Sequence, residues 1–111
     1  MNDYCPDRWL MVRVTENKTG NVHYRVFGSW SGGYLDGDSW RLNSGVERIE
    51  VHGNKYHFIG SSGSTYICHK DMYGSSAYNY GALKSIIEKS KNYGTIEELP
   101  ADTDFVSMEY K

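Results

Sequence analysis

The sequence is short of the features that would place it in several large classes at once. It has two cysteines, Cys5 and Cys68, and two prolines, and no apolar run in it approaches the ~20 residues that cross a bilayer as a helix. Two cysteines allow at most one disulfide and no CxxC spacing points to zinc, so reduced thiols in a cytoplasm are the expected state. The opening MNDYCPDRW lacks the basic and apolar regions of a signal peptide, and none is expected. Charge of one sign is missing as well. Twelve basic residues stand against 14 acidic ones, a formal net charge of −2, which argues against duplex nucleic acid or an anionic membrane surface as a partner. Absent too are the phosphate loop GxxxxGK(S/T), the serine elbow GxSxG and the zinc helix HExxH.

What is abundant is glycine, at 12 residues, and tyrosine, at ten. With 14% aromatics this balance fits a β-rich chain with many turns, and 111 residues fit one domain, 1–111, around one core. WLMVRVT at 9–15 reads as a first strand buried at Leu10, Val12 and Val14, and after the turn ENKTGN the alternating VHYRVFG at 22–28 reads as its hairpin partner. VERIEVHGNKYHFI at 46–59 is the clearest local signal. A two-residue loop at Gly53-Asn54 sets His52 against Lys55, Val51 against Tyr56, Glu50 against His57 and Ile49 against Phe58, which puts apolar pairs on one face and charged pairs on the other.

Gly60-Ser61-Ser62-Gly63-Ser64 forms the next turn and TYICHK at 65–70 a further strand. From about Ser76 to Asn92 the period changes: Tyr80, Leu83, Ile86 and Ile87 recur at helical spacing, with Ser75 or Ser76 as the cap, Gly94 as the closing glycine, and Gly81 as a later start of the helix. The tail offers two short runs, at 95–99 and 104–108, parted by Pro100, and either could add an edge strand. The expected fold is α+β: an antiparallel β-meander of about five strands with one C-terminal amphipathic helix packed on it.

Few residues suit chemistry. His57 opposite Glu50 makes a surface ion pair, and His23 alternates outward with Arg25. Cys68 and His69 are neighbours in a strand and so point to opposite faces, which disfavours a thiol with a histidine base. Asp36-Gly37-Asp38-Ser39 resembles the opening of a calcium loop, yet Arg41 stands at the sixth place, where glycine is required, and Trp40 and Leu42 fill the fifth and seventh. A turn with solvated carboxylates accounts for it, and neither a metal nor a cofactor is called for. The Gly-Ser turn at 60–64 could cradle an anion on its N–H groups, though a plain turn needs no ligand.

The segment GSWSGGYLDGDSWRLNSG at 28–45 is the exception, because it sets two tryptophans among glycine, serine and aspartate. Trp30 and Tyr34 offer flat stacking surfaces, Trp40 either stacks or anchors the loop, and Arg41 is a fork for phosphate or carboxylate. With Asp38, His69, Tyr73 and Tyr78 from this and the next loop, these form the candidate ligand-binding set; no catalytic set is assigned. CPDRW at 5–9, GSWSGGYLDGDSWRLNSGV at 28–46 and SSGSTYICHKDMYGSS at 61–76 together resemble small accessory proteins of unassigned function encoded by tailed bacteriophages, over most of the chain. That resemblance implies a counter-defence or host-takeover factor in the bacterial cytoplasm and supplies no catalytic residues. The leading expectation is a non-enzymatic protein that sequesters a nucleotide-type signalling molecule. The alternatives are an inhibitor docking on a host defence protein such as a nuclease, and a small hydrolase using His69, Asp71 or Asp38. A homo-oligomer completing its pocket across a symmetric interface fits any of them.

Overall fold

In a computed structural model of the chain, residues 3–33 and 37–110 are described, with the backbone alone at 32, 33, 37 and 38. The strands are β1 (Asp3–Tyr4), β2 (Arg8–Glu16), β3 (Val22–Gly33), β4 (Gly37–Leu42), β5 (Val46–His52), β6 (Lys55–Gly60), β7 (Thr65–His69) and β8 (Gly94–Glu98); one helix, α1 (Ala77–Lys89), precedes β8. They form two four-stranded sheets, an outer one in the order β1-β7-β6-β5 and a central one in the order β4-β3-β2-β8. All these pairings are antiparallel except β1 with β7. The class is α+β as expected, with eight described strands in two sheets instead of about five in one meander.

The second sheet follows from β2. Its alternate residues Leu10 and Val12 are buried, as the period-2 pattern requires, but Trp9 and Met11, which alternate with them, are fully buried too. A strand apolar on both faces must lie between two layers. Leu10 and Val12 join Phe27 and Leu83 under the helix, whereas Trp9, Met11 and Val26 meet Phe58, Tyr66 and Cys68 of the outer sheet. Val14, expected inside, is only half-buried. The Trp9 ring meets Tyr73, Phe105 and Phe58 at centroid distances of 4.7, 5.0 and 5.3 Å, and its Nε1 donates to the His69 carbonyl at 2.7 Å.

The β5–β6 hairpin has the expected register at all four positions, His52–Lys55, Val51–Tyr56, Glu50–His57 and Ile49–Phe58. Gly53 takes φ 60° and Asn54 no positive φ, the pattern of a turn whose first central residue must be glycine. The helix begins at Ala77, where Ser76 Oγ accepts from Asn79 N at 3.2 Å, and it runs through Gly81 to a cap at Ser90. Gly94 therefore does not close the helix. It opens β8 beside β2, where a Cβ would come within 2.5 Å of the Thr15 carbonyl oxygen. Of the two tail runs, 95–99 supplies β8, while 104–108 forms turns that drive Phe105 into the core near Tyr110. Among the described residues no helix is long and apolar enough to cross a membrane.

Candidate functional site

Strand pairing sorts the unusual segment onto two faces. Trp30 lies opposite Ser39 and Gly28 opposite Arg41, so Trp30 and Arg41 share the face toward the outer sheet. Trp40 lies opposite Ser29 on the other face, stacked on Phe27 at 5.6 Å with an interplanar angle of 21°. The two tryptophans thus never meet one ligand from the same side.

On the outer-sheet face, β1 brings in Tyr4. The Arg41 guanidinium sits 4.5 Å above its ring, and Tyr4 in turn contacts Tyr66 at 5.1 Å and the edge of Trp30 at 6.4 Å. Trp30 is half-buried, and its Nε1 donates to the Cys5 carbonyl at 3.1 Å, which ties the β1–β2 connection to β3. Asp7 Oδ2 accepts from Ser31 N at 2.9 Å on the same seam. Trp30 is an anchor here, and Arg41, laid over the half-buried Tyr4, makes the exposed part.

Two turns close the site. Ser44 Oγ and Ser61 Oγ share a hydrogen bond of 3.0 Å, Ser62 N donates to Ser44 Oγ, and Ser61 N donates to the Gly45 carbonyl. Gly60 N and Gly63 N are also satisfied, by the carbonyls of Ser64 and Gly60. The N–H groups of Gly60, Ser61, Ser62 and Gly63 are therefore consumed within this turn and by the adjoining Ser44–Gly45, and the turn offers hydroxyls instead of an amide nest. Asn43 bridges the end of the ribbon: its Oδ1 accepts from Val26 N at 2.8 Å, its N donates to the Val26 carbonyl, and its buried Nδ2 has no partner.

These pieces enclose a cleft of about 190 Å³ walled by Tyr4, Arg41, Asn43, Ser62, Ser64 and Tyr66, among others, with no carboxylate on its described walls. The Arg41 guanidinium, Asn43 Nδ2, and the hydroxyls of Ser62, Ser64 and Tyr66 all lack a hydrogen-bond partner among the described residues. Burial pushes the Tyr66 phenol up to about 12, with Arg41 pulling the other way, so at neutral pH it stays a donor. Such a cleft suits an anionic group; at this volume it takes one charged end, since whole small molecules fill cavities from ~300 Å³ upward.

The other sequence candidates lie elsewhere. Tyr34 and the Asp38 side chain are outside the described residues, as is the calcium-like turn at Asp36. Tyr73 is a core residue: its hydroxyl donates to the Leu99 carbonyl at 2.6 Å and accepts from Met11 N, and burial pushes it up to about 12. Tyr78 is exposed on the first turn of α1, where the neighbouring Asn79 donates to the Ser39 carbonyl at 3.0 Å. His69 borders a separate surface cavity with Cys5, Asp7 and Asp71. Cys68, its neighbour, is fully buried, and burial pushes its thiol far above the range where a thiolate forms.

Among the described residues no serine, threonine or cysteine hydrogen-bonds to a histidine, and no three His, Cys, Asp or Glu side chains are grouped to hold a metal ion. Sequence reasoning missed Tyr4, Asn43 and Tyr66. Tyr4 and Tyr66 meet only through the parallel β1–β7 pairing, for which a two-residue strand leaves no pattern. Compared with protein-family models, with curated proteins and with solved structures, the chain gives no match in any of the three.

Proposed function

We propose that the chain is a non-enzymatic binding protein whose Arg41 cleft takes the phosphate-bearing end of a nucleotide-type signalling molecule. On this reading it is a tailed-phage accessory factor that withdraws the molecule from a host sensor in the bacterial cytoplasm. One observation carries the assignment: the Arg41 guanidinium and the hydroxyls of Ser62, Ser64 and Tyr66, all unpaired among the described residues, belong to the walls of a cleft without a described carboxylate. Arginine offers phosphate a planar fork of N–H groups, and its ring contact with Tyr4 holds that fork in place.

Calorimetric titration of the purified chain with a panel of cyclic and linear nucleotides tests the reading. Binding that weakens with salt and disappears in Arg41→Ala supports it, and ligand recovered chemically unchanged separates sequestration from hydrolysis. Silence across the whole panel sinks it. A second reading has its own observation. Trp40 is 42% exposed and Tyr78 71% exposed, and the Asn79–Ser39 hydrogen bond joins the strand of one to the helix turn of the other. Aromatics of this kind anchor protein interfaces. Capture of a host defence enzyme that is lost in Trp40→Ala but kept in Arg41→Ala selects this reading over the first.

A further inference from the structure

The Arg41 cleft is too small for a whole nucleotide, yet it does not end at its own walls. A second cavity of about 450 Å³ lies on the helix side of the central sheet, and Arg25 and Leu42 wall both. Strand lengths explain the junction. β4 stops at Leu42 and Asn43 completes its ladder at Val26, whereas β3 runs back to Val22, so its first four residues face no described strand on that side. Arg25 stands at that end of β3 and lines both cavities.

Element lengths also explain why the second cavity has an apolar floor. The 13 residues of α1 cover about 20 Å at 1.5 Å per residue, whereas the 12 residues of β3 run about 40 Å. The helix cannot cover the whole face, and Val14, Ile86 and Ile96 are left half-buried as a groove floor. Tyr93, 80% exposed, stands at the mouth. Arg25 Nε donates to His23 Nε2 at 3.1 Å, while its two terminal amino groups are unpaired among the described residues. Burial and the Arg25 charge hold His23 below the usual histidine range, which keeps its ring a neutral acceptor for that bond. Glu16 on the groove's rim repels an anion, so a ligand with one charged end is oriented with that end toward Arg41.

We infer that the two cavities are halves of one nucleotide site, with phosphate at Arg41 and the base laid over the Val14–Ile86–Ile96 floor, the ligand crossing at the shared walls Arg25 and Leu42. This rests on the phosphate-end reading above. The bases have the flat apolar faces that such a floor and an exposed tyrosine accept, and stacking of that kind is tolerant of base identity.

The test is calorimetry on the intact chain with inorganic phosphate and with AMP, GMP and UMP. The variants are Arg41→Ala, Tyr93→Ala and Ile96→Trp, the last two intended to strip and to fill the groove, with thermal melts as a check on folding. The expected result is at least about tenfold tighter binding of the nucleotides than of phosphate, an advantage reduced several-fold by either groove variant while phosphate binding stays unchanged. Arg41→Ala should lose both classes. Tyr93 is exposed enough that its variant decides the matter if Ile96→Trp fails to fold. Nucleotides that bind no tighter than phosphate, or an advantage that survives both groove variants, overturn the two-cavity site and leave the phosphate-end reading intact. Absence of binding by phosphate and nucleotides alike overturns both.

Discussion

The β5–β6 hairpin and the β3–β4 ribbon are both antiparallel pairs carrying aromatic and charged residues, and they end in opposite chemical states. In the hairpin, charges answer one another along one face. Glu50 accepts from His52 at 3.2 Å and forms an ion pair with Arg48 at 3.3 Å, and the His52 and His57 rings lie 4.1 Å apart. On the other side Phe58 is fully buried against Trp9. In the ribbon, among the described residues, Arg41 meets the face of Tyr4 without a hydrogen-bond partner, and the Asn43 amide stays half satisfied although it is buried. The first pair answers several of its charges within itself, whereas the second leaves a guanidinium and a buried amide without a hydrogen-bond partner among the described residues. On the reading proposed above, the hairpin serves folding, and the ribbon's unmet guanidinium is where the ligand binds.

The comparison can be broken first through stability. Phe58→Ala removes a side chain that touches Trp9, Tyr56 and Phe105, and the expected loss is about 3–5 kcal/mol in urea unfolding. The Arg41 cleft of the molecules that remain folded should bind as before. A loss below about 1 kcal/mol would mean that the inter-sheet core does not depend on the hairpin. Gly94→Ala should cost about 1–3 kcal/mol, because its Cβ would collide with backbone at Thr15 and not with a side chain that can swing away. An unchanged unfolding midpoint would show that β8 can draw back from β2 without penalty.

The ribbon should respond in the reverse sense. Arg41→Ala is expected to change stability by no more than about 1 kcal/mol, the worth of an exposed cation–π contact. It should nevertheless weaken anion binding by at least about tenfold, or 1.4 kcal/mol. Arg41→Lys keeps the charge and loses the planar fork, so an affinity between those of the parent and Arg41→Ala is expected. Full recovery in the lysine variant would reduce Arg41 to a point charge and remove the argument from geometry.

How much of this was legible beforehand depended on how local the signal was. The hairpin register could be read because Gly53-Asn54 and the alternation on both sides are adjacent in sequence and agree. The helix stripe Tyr80, Leu83, Ile86 and Ile87 was legible for the same reason, and all but Leu83 stay half-buried at its edge. The second sheet was not, although Trp9 and Met11 carried its signature, because alternation from Leu10 to Val14 already fitted a one-sided strand. The site was legible in part. Arg41 stood out by composition, and Trp30 stood out for what proves to be anchoring. Tyr4, Asn43 and Tyr66 come together through contacts between residues far apart in the chain, and no local pattern announces them.

The finest distinction lies within the hairpin's charged face. Burial first, and then the neighbouring His52, hold His57 below the ordinary value of 6.5, and His23 lies below it because of burial and Arg25. A histidine lowered on folding contributes stability above its unfolded pKa, and that contribution is lost as pH falls from about 6.5 through the folded value. Acidification below neutrality should therefore weaken the fold through both residues. Glu50, held low chiefly by its hydrogen bond from His52, loses its contribution only further down, below its ordinary 4.5. In His52→Gln the like charge is gone while burial remains, so NMR titration should show His57 moving up but stopping short of 6.5, and Glu50 moving up as its strongest hydrogen bond is altered. If His57 titrates as before, the two rings do not sense each other, and the hairpin's charges are neighbours without being partners.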